Sequence, residues 1–436
     1  MVNISKQSYK AVPSPKGLEH LRVMERAATY PNSAVWELHE RYGDVFAFGF
    51  GAIRFHWFIG AEALAFILTQ PERFAMKRAY SFLQPIVGDS ALITSDEPMH
   101  LKRRRLVQPA FHGKRVRTWL EQVETELHSF YETQPTTFDL YGAIRPFMLK
   151  TISRMLLGQS LFKEKPSLLK DIASLMDFAN LPFLAQQFKL PLPGTPWYRF
   201  VNTRAKVEKH LLEEITLKRS RAERSDTMLD MLLDADDAYS LSNIELKDQA
   251  LSLVSAGFDT TSAALSWAVF LLLENSEVLA NLKQEMMDCS SFEEALKQPL
   301  LDAVVKETLR LYPTAPAGLR EAREDLVYKE YFIPKGSLVA YGIYITQRQE
   351  TYFKNALSFK PERWINGFKP EPFSYLPFGH GVRYCIGGAL ATSLIKLHLY
   401  FLLKHYTPLA AWTEDIQETG NTVHPKGGLP IKLVSD

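Results

Sequence analysis

The residue with the clearest chemical potential in this chain is Cys385, which lies in the segment PFGHGVRYCIGGALA from Pro377 to Ala391. Glycines stand at positions 379, 381, 387 and 388, so the backbone can turn sharply there and approach a ligand closely. A helical pattern follows Cys385, and the amides and dipole at a helix N-terminus stabilise a thiolate. An isolated cysteine is usually a small buried hydrophobe, but these surroundings favour a thiolate presented to a flat, metal-containing ligand.

Composition excludes several other kinds of chemistry. The chain has 436 residues but only two cysteines, Cys289 and Cys385, so a disulfide framework and a zinc site built from several thiolates are both excluded. The formal net charge is +2, which gives no general attraction for nucleic acid. Hydrophobic residues make up 46% of the chain, enough for a large core, and the few cysteines indicate a reducing compartment.

Helical periodicity dominates the pattern along the chain. The helices are predicted at about 98–132, 140–160, 165–180, 200–219, 226–234, 245–274, 276–290, 298–311 and 386–405. Segments 45–68 and 318–345 predict short strands, with a turn at Pro334-Lys335-Gly336, and 350–376 predicts irregular structure. Because no repeat or Gly/Ser linker interrupts this pattern, we predict one mainly helical domain, residues 1–436, with a small β part.

The segment from Ala250 to Leu273 is apolar enough to suggest a membrane span. It contains Asp259 and several Ser and Thr residues, however, and no second such segment accompanies it. We therefore predict a long buried helix. The polar N-terminus shows no signal-peptide core and no membrane anchor, and we expect a soluble, cytoplasmic protein.

The segment from Phe378 to Gly387 resembles, at every defining position, the haem-binding signature of the cytochrome P-450 family of haem-thiolate monooxygenases, and Ala391 completes its extended form. The resemblance implies the helix-rich fold of that family. It also implies a haem b cofactor whose iron takes the Cys385 thiolate as axial ligand, with Phe378 and Gly387 against the haem.

Further matches occur in the order expected for this family. Glu307 and Arg310, three residues apart on a helix, would alone be read as a solvated ion pair. The resemblance implies instead a buried triad of Glu307, Arg310 and Arg363 that supports folding and haem retention.

The long apolar helix contains Ala256-Gly257-Phe258-Asp259-Thr260. By themselves its hydroxyl groups would be expected to bond back to carbonyl groups one turn earlier. The resemblance implies that Ala256 lies beside the haem, that Gly257 opens a groove for dioxygen, and that Asp259 and Thr260 relay protons.

Four basic side chains match positions that hold the haem propionates in the family: His100, Arg104, Arg320 and Arg383. Other basic residues surround the first two: Lys102, Arg103, Arg105, Lys114 and Arg115. Two readings of these stay open, a solvated face and a docking patch for an acidic electron donor.

The family lines its substrate pocket from four regions, which correspond here to residues 79–93, about 176–190, the helix near Ala256, and 314–319. The candidate pocket residues are Phe82, Leu83, Ile86, Val87, Ala315, Ala317 and Leu319. Because these are apolar, we expect a lipophilic substrate such as a fatty acid, terpenoid or polyketide, hydroxylated or epoxidised with O2 and two electrons.

The electrons are expected from a separate ferredoxin or flavodoxin with its reductase, and the protein is expected to be a monomer. Two alternatives stay open: a peroxide-driven hydroxylase of the same fold, and a non-catalytic haem-binding protein. The Asp259-Thr260 pair argues against both, since neither needs a proton relay.

Overall fold

The structure is a computed structural model that describes residues 9–51, 53–111, 113–179, 181, 189–221, 226–234 and 240–435. Its helices are α1 (Gly17–Thr29), α2 (Pro31–Tyr42), α3 (Ala61–Leu68), α4 (Gln84–Val87), α5 (Met99–Val107), α6 (Lys114–Glu132), α7 (Leu140–Leu157), α8 (Gln159–Glu164), α9 (Ser167–Ala179), α10 (Pro196–Ser220), α11 (Met228–Leu233), α12 (Asn243–Glu274), α13 (Ser276–Asp288), α14 (Phe292–Ala295), α15 (Pro299–Leu311), α16 (Ile343–Thr346), α17 (Glu362–Ile365) and α18 (Gly388–His405). Its strands are β1 (Lys10–Ala11), β2 (Val45–Phe50), β3 (Ile53–Phe58), β4 (Phe74–Ala75), β5 (Thr137–Asp139), β6 (Ala317–Ala322), β7 (Leu326–Tyr328), β8 (Tyr331–Ile333), β9 (Leu338–Gly342), β10 (Tyr406–Ala410), β11 (Glu418–Thr419), β12 (His424–Pro425) and β13 (Pro430–Ser435).

Helix α12 is the centre of the fold and runs for 32 residues. A capping box starts it, in which Ser242 and Glu245 exchange side-chain and backbone hydrogen bonds. It packs on α7 and α18, and most of its apolar residues are buried, as expected of a core helix. Among the described residues it is the one helix apolar and long enough to cross a membrane. Because 72% of its most apolar stretch is buried within the protein, the prediction of a core helix is confirmed.

The largest sheet has the strand order β2-β3-β9-β6-β4 and supports one side of the site. Burial alternates along β6, so Gly318 and Arg320 face inward while Leu319 is half-buried. Gly318 is required because a Cβ there would collide with the Tyr341 ring on β9. That close pairing also places the Arg320 guanidinium 5.2 Å from the centre of the Tyr341 ring.

The sequence-based boundaries need several corrections. The predicted helix 98–132 is divided into α5 and α6 by a 3₁₀ turn at Gln108–Phe111. Strand structure predicted to reach residue 68 ends at Phe58; Gly60 then turns the chain with φ 92°, and 61–68 forms α3. A short, continuously apolar run such as this one does not by its period distinguish strand from helix. Helices α1 and α2 and the four C-terminal strands were not predicted. The segment 350–376 is irregular, as predicted, apart from the single turn of α17.

Candidate active site

The loop before α18 presents Cys385. Gly381–Arg383 form one turn of 3₁₀ helix, and the Cys385 N–H donates to the Phe378 carbonyl at 2.8 Å. Positive φ values of 73° at Gly379 and 62° at Gly381 explain why glycine is needed at these positions. Helix α18 begins at Gly388, where an added Cβ would lie 3.3 Å from the Phe378 ring. The loop is therefore folded tightly around a cysteine whose own surface stays exposed.

Opposing effects act on the Cys385 sulfur. The surrounding protein atoms raise the pKa of this thiol by burial, while the Gly387 and Gly388 amides and the Arg104 charge lower it. Burial outweighs the other two, so the pKa lies above its ordinary value. The amides at the start of α18 lower the pKa as expected, but they do not bring it below that value. A cavity of about 370 Å³ between α5 and α18 reaches the sulfur, which reconciles its exposure with its dense surroundings. A thiolate here needs a strong cationic partner, and a metal ion is one.

Three of the predicted propionate ligands are arginines, and their charges interact. Arg383 is repelled by Arg320, and the charges of Arg383 and Arg104 both lower the pKa of His100. Arg104 Nη1 donates to the Tyr384 carbonyl at 2.7 Å, and Arg320 Nη1 donates to the Leu319 carbonyl at 2.7 Å. Such a concentration of positive charge favours an anionic ligand with more than one carboxylate.

His100, the fourth predicted ligand, is almost fully buried on α5. Burial and the neighbouring Arg383 lower its pKa to about 4. The ring is therefore neutral at pH 7 and can donate one hydrogen bond without adding positive charge.

Two further residues of this cluster were missed from the sequence. The Tyr80 hydroxyl accepts from the Leu319 N–H at 3.1 Å, and its proton remains available as a donor close to Arg320 and Arg383. The Glu97 carboxylate lies 2.7 Å from Arg383 Nη2. No local sequence pattern predicts either contact, because Tyr80 and Glu97 lie more than 200 residues from these partners in the sequence.

Helix α12 has one exposed position in its middle. Ala256 is exposed and Thr260, one turn later, is half-buried, although Val254 and Phe258 beside them are fully buried. Residues four apart share a helix face, so Ala256 and Thr260 border the same interior space. This is the face that the sequence assigned to the cofactor.

Asp259 is buried on α12 and bound by side chains of α7. Arg145 Nε donates to Asp259 Oδ1 at 2.7 Å, and the Tyr141 hydroxyl donates to the same oxygen at 3.2 Å. Arg145 also donates through Nη2 to Asp177 at the end of α9, at 2.9 Å. Because the Asp177 side chain is 61% exposed, this arginine links the buried acid to the surface. Arg145 and Tyr141 were not identified from the sequence.

The structure shows how the Thr260 hydroxyl is bonded and corrects the expectation for Gly257. The Thr260 hydroxyl donates to the Ala256 carbonyl at 2.6 Å, the backbone bond that the residue type alone predicts. Gly257 faces α7 instead of an open groove: a Cβ there would lie 3.2 Å from Ile152 Cγ2. The helix is continuous through this position, so the glycine serves the close packing of α7 on α12.

The structure brings Glu307, Arg310 and Arg363 together. Arg310 binds both carboxylate oxygens of Glu307 at 2.9 Å, and Arg363 Nε donates to Oε1 at 3.0 Å. The Trp364 indole and the Lys360 amide add two more donors. Arg310 also donates to three backbone carbonyls of 347–358, so the cluster ties α15 to the irregular segment.

The predicted substrate-pocket residues differ in exposure. Phe82, Leu83, Ala317 and Leu319 are half-buried and Ala315 is exposed, as residues bordering an internal space would be. Ile86 and Val87 are 2% and 3% exposed and pack in the core. Of the predicted region 176–190, residues 180 and 182–188 lie outside the described residues.

The predicted basic patch is smaller than expected. Arg103 turns inward, where it binds Ser95 and pairs with Glu245 at 2.9 Å. Arg115 pairs with Asp226 at 2.6 Å, and the Lys114 side chain lies outside the described residues. Lys102 and Arg105 remain as its candidate members.

Comparison with known proteins identifies the family. A family model for Cytochrome P450 matches residues 18–431, so the chain belongs to the cytochrome P450 family. Putative cytochrome P450 139 of Mycobacterium tuberculosis is 28% identical over 84% of this chain and 88% of that protein. Abscisic acid 8'-hydroxylase 2 of Arabidopsis thaliana is 26% identical over 98% of this chain and 90% of that protein. The solved structure of retinoic acid bound cyanobacterial CYP120A1 superposes with a TM-score of 0.88, at 25% identity, over 98% of this chain and 100% of that one.

Membership settles the fold and the general chemistry. The fold is the helix-rich cytochrome P450 fold, and family members are haem-dependent monooxygenases that bind haem b through a cysteine thiolate. The residues present fit that cofactor: Cys385 is exposed at a cavity, a cluster of arginines suits the two propionates, and α12 exposes Ala256, whose small side chain leaves room for a flat ring.

Proposed function

We propose that Cys385 binds the haem iron and that the protein hydroxylates or epoxidises a lipophilic small molecule with O2 and two electrons. The observation that carries this proposal is the acid–hydroxyl pair of α12. Thr260 borders the interior space, while Asp259 is bound to Arg145, which reaches a surface carboxylate. A haem protein that only binds its ligand has no use for such a proton route.

The haem, when bound, supplies the activation of dioxygen. The chain supplies position and protons. Arg145 holds Asp259 and Asp177 at once, so it can stay with Asp177 while Asp259 exchanges a proton with water. The Thr260 hydroxyl, released from the Ala256 carbonyl by rotation about χ1, can pass that proton toward the haem face.

The propionates would be held by Arg104, Arg320 and Arg383, with Tyr80 and neutral His100 as further donors. Phe378 and Gly387 would lie against the haem, in the loop that presents Cys385. Glu307, Arg310 and Arg363 would keep the surrounding segment folded.

The substrate would lie among Phe82, Leu83, Ala315, Ala317 and Leu319, whose side chains carry no charge. One relative is named for abscisic acid, and the solved structure of CYP120A1 has retinoic acid bound. Both molecules are lipophilic, which supports the same class of substrate here. Fatty acids, terpenoids and polyketides are the candidates to screen.

The electron donor would be a separate ferredoxin or flavodoxin with its reductase, docking at Lys102 and Arg105. We infer a soluble, cytoplasmic, monomeric protein, in keeping with the burial of α12. Sedimentation of the purified holoprotein alone tests whether it is a monomer. Sedimentation with a candidate ferredoxin tests whether the two proteins bind.

Thr260→Ala tests the monooxygenase proposal, with Thr261→Ala as the matched control. Thr261 also bonds to the carbonyl one turn earlier, but it lies on the buried face of α12. After a substrate is found by its spin-state change, product is compared with electrons consumed. We expect Thr260→Ala to form much less product per electron pair, because a general acid–base group contributes about 100-fold or more in rate, while Thr261→Ala stays near the wild-type ratio.

Unchanged coupling in Thr260→Ala would contradict the relay. Turnover with hydrogen peroxide that matches the reductase-driven rate would favour the peroxide-driven hydroxylase instead.

A further inference from the structure

Glu97 is a carboxylate inside the arginine cluster. It lies two residues before Met99, the first residue of α5, and its Oε1 lies 2.7 Å from Arg383 Nη2 and 3.3 Å from His100 Nδ1. The Glu97 side chain is 31% exposed, against 10% for Arg383 and 3% for His100, so the pair is largely shielded from water. Neither the resemblance nor the comparisons give Glu97 a role.

The chain around Glu97 wraps the Arg383 guanidinium. Arg383 Nη1 donates to the Ser95 carbonyl at 3.0 Å, and Nη2 faces the Glu97 carboxylate. Both terminal nitrogens of the guanidinium are thus engaged by residues 95–97. These nitrogens are the donors that a carboxylate ligand of arginine uses.

Other carboxylates near the cluster have other partners. Asp96 accepts from the Met76 and Lys77 amides and lies 3.9 Å from Arg323. Glu321 pairs with Arg78 at 3.0 Å. Within the described part of the chain, Glu97 is the carboxylate that pairs with one of the three arginines assigned to the propionates.

A charge count gives this contact a meaning. Arg104, Arg320 and Arg383 carry three positive charges, whereas the two haem propionates carry two negative charges. Glu97 supplies the third negative charge, and His100 is neutral. Without a propionate, Glu97 also limits the mutual repulsion of Arg383 and Arg320.

We propose that Glu97 is a built-in counter-ion of the propionate cluster and competes with a haem propionate for Arg383. It is a positioning residue that acts on the haem through Arg383. This inference rests on the proposed role of Arg383 as a propionate ligand. Its consequence is a haem held less tightly, and an iron more difficult to reduce, than the three arginines alone would give.

The test uses the purified holoprotein and three variants: Glu97→Gln removes the charge, Glu97→Asp keeps it, and Glu245→Gln is the matched control. Glu245 also pairs with a buried α5 arginine, Arg103, outside the cluster. Two quantities are measured: the rate of haem transfer to excess apomyoglobin and the midpoint potential of the ferric–ferrous couple.

We expect Glu97→Gln to lose haem about threefold to tenfold more slowly, because one partly screened negative charge beside the propionates is gone. Its midpoint potential should rise, since an uncompensated arginine favours the reduced iron. Glu97→Asp and Glu245→Gln should stay close to wild type in both measurements.

Faster haem loss in Glu97→Gln would show that Glu97 merely stabilises the site, and it would overturn the proposal. An unchanged rate of haem loss together with an unchanged midpoint potential would also overturn it. Arg383→Gln separates this outcome from a failure of the underlying assignment. If Arg383→Gln loses haem at the wild-type rate, Arg383 is not a propionate ligand. If it loses haem faster while Glu97→Gln is unchanged, only the counter-ion role fails.

Discussion

Two buried carboxylates of this protein, Glu307 and Asp259, are both paired with arginine, yet their surroundings differ. Glu307 accepts five N–H donors, from Arg310, Arg363, Trp364 and the Lys360 amide, and neither it nor Arg310 is exposed. Asp259 is held through Oδ1 by Arg145 and Tyr141, and the Arg145 side chain is 21% exposed.

The difference teaches how partners decide the role of a buried charge. A carboxylate saturated with donors, whose partner is also buried, has no route for proton exchange and fixes the structure around it. A carboxylate whose partner reaches the surface and is shared with a second acid can exchange that partner. We therefore propose that Glu307 contributes to stability and Asp259 to proton transfer.

The largest expected effect is at Glu307. Glu307→Gln leaves Arg310 and Arg363 without a counter-charge in the core, which costs about 3–5 kcal/mol when one partner of a buried pair is removed. We expect little folded haem protein in this variant, measured as haem content and soluble yield. Glu245→Gln should give normal yield, because Glu245 is partly exposed and its partner Arg103 keeps its hydrogen bond to Ser95. Normal folding of Glu307→Gln with reduced turnover would show that Glu307 acts in turnover and not in stability, which would contradict the comparison.

Asp259→Asn should have the second-largest effect, and we expect it in turnover and not in folding. The variant should fold and bind haem normally, while turnover per haem falls about 100-fold, the scale of a lost general acid. Asp248→Asn is the control, because Asp248 is buried on the same helix, eleven residues before Asp259, and pairs with Lys247 at 3.1 Å. Equal turnover in both variants would remove the distinction between Asp259 and a structural acid.

The smallest effect concerns a buried titratable group of a third kind, His398 on α18. It is fully buried, and neither ring nitrogen has a hydrogen-bond partner among the described residues. Burial lowers its pKa to about 3, so the unfolded state binds the proton more readily and the histidine costs stability as the pH falls below about 6.5. The loss reaches roughly 2–3 kcal/mol at pH 4.5.

His398→Leu should therefore flatten the decline in thermal midpoint between pH 6.5 and 4.5, with activity unchanged at pH 7. An identical pH dependence in the two proteins would show that His398 is protonated at little cost, against the structure.

The sequence predicted most of what lies close together along the chain. The glycines of the cysteine loop lie within ten residues of one another. Glu307 and Arg310 are three residues apart, so one turn of a helix brings them together. The apolar length of 250–273 was enough to predict α12. In each case the local pattern and the tertiary packing agree.

What the sequence did not predict depends on contacts between distant segments. Arg145 meets Asp259 across 114 residues, and Glu97 meets Arg383 across 286 (383 − 97), so no local pattern points to either pair. The reason for Gly257 was misread because Ile152, which it accommodates, lies on another helix. Arg103 looked like a surface cation until its partner Glu245 was located.

The central claim is that Cys385 is the thiolate ligand of the haem iron, and the spectrum of the reduced carbon monoxide complex tests it most directly. We predict the strongly red-shifted Soret band of a thiolate-ligated haem in the wild-type protein and in Cys289→Ala, since Cys289 is buried at the end of α13. The band should be absent in Cys385→Ala. Its survival in Cys385→Ala, or its absence from the intact wild-type protein, would contradict the account.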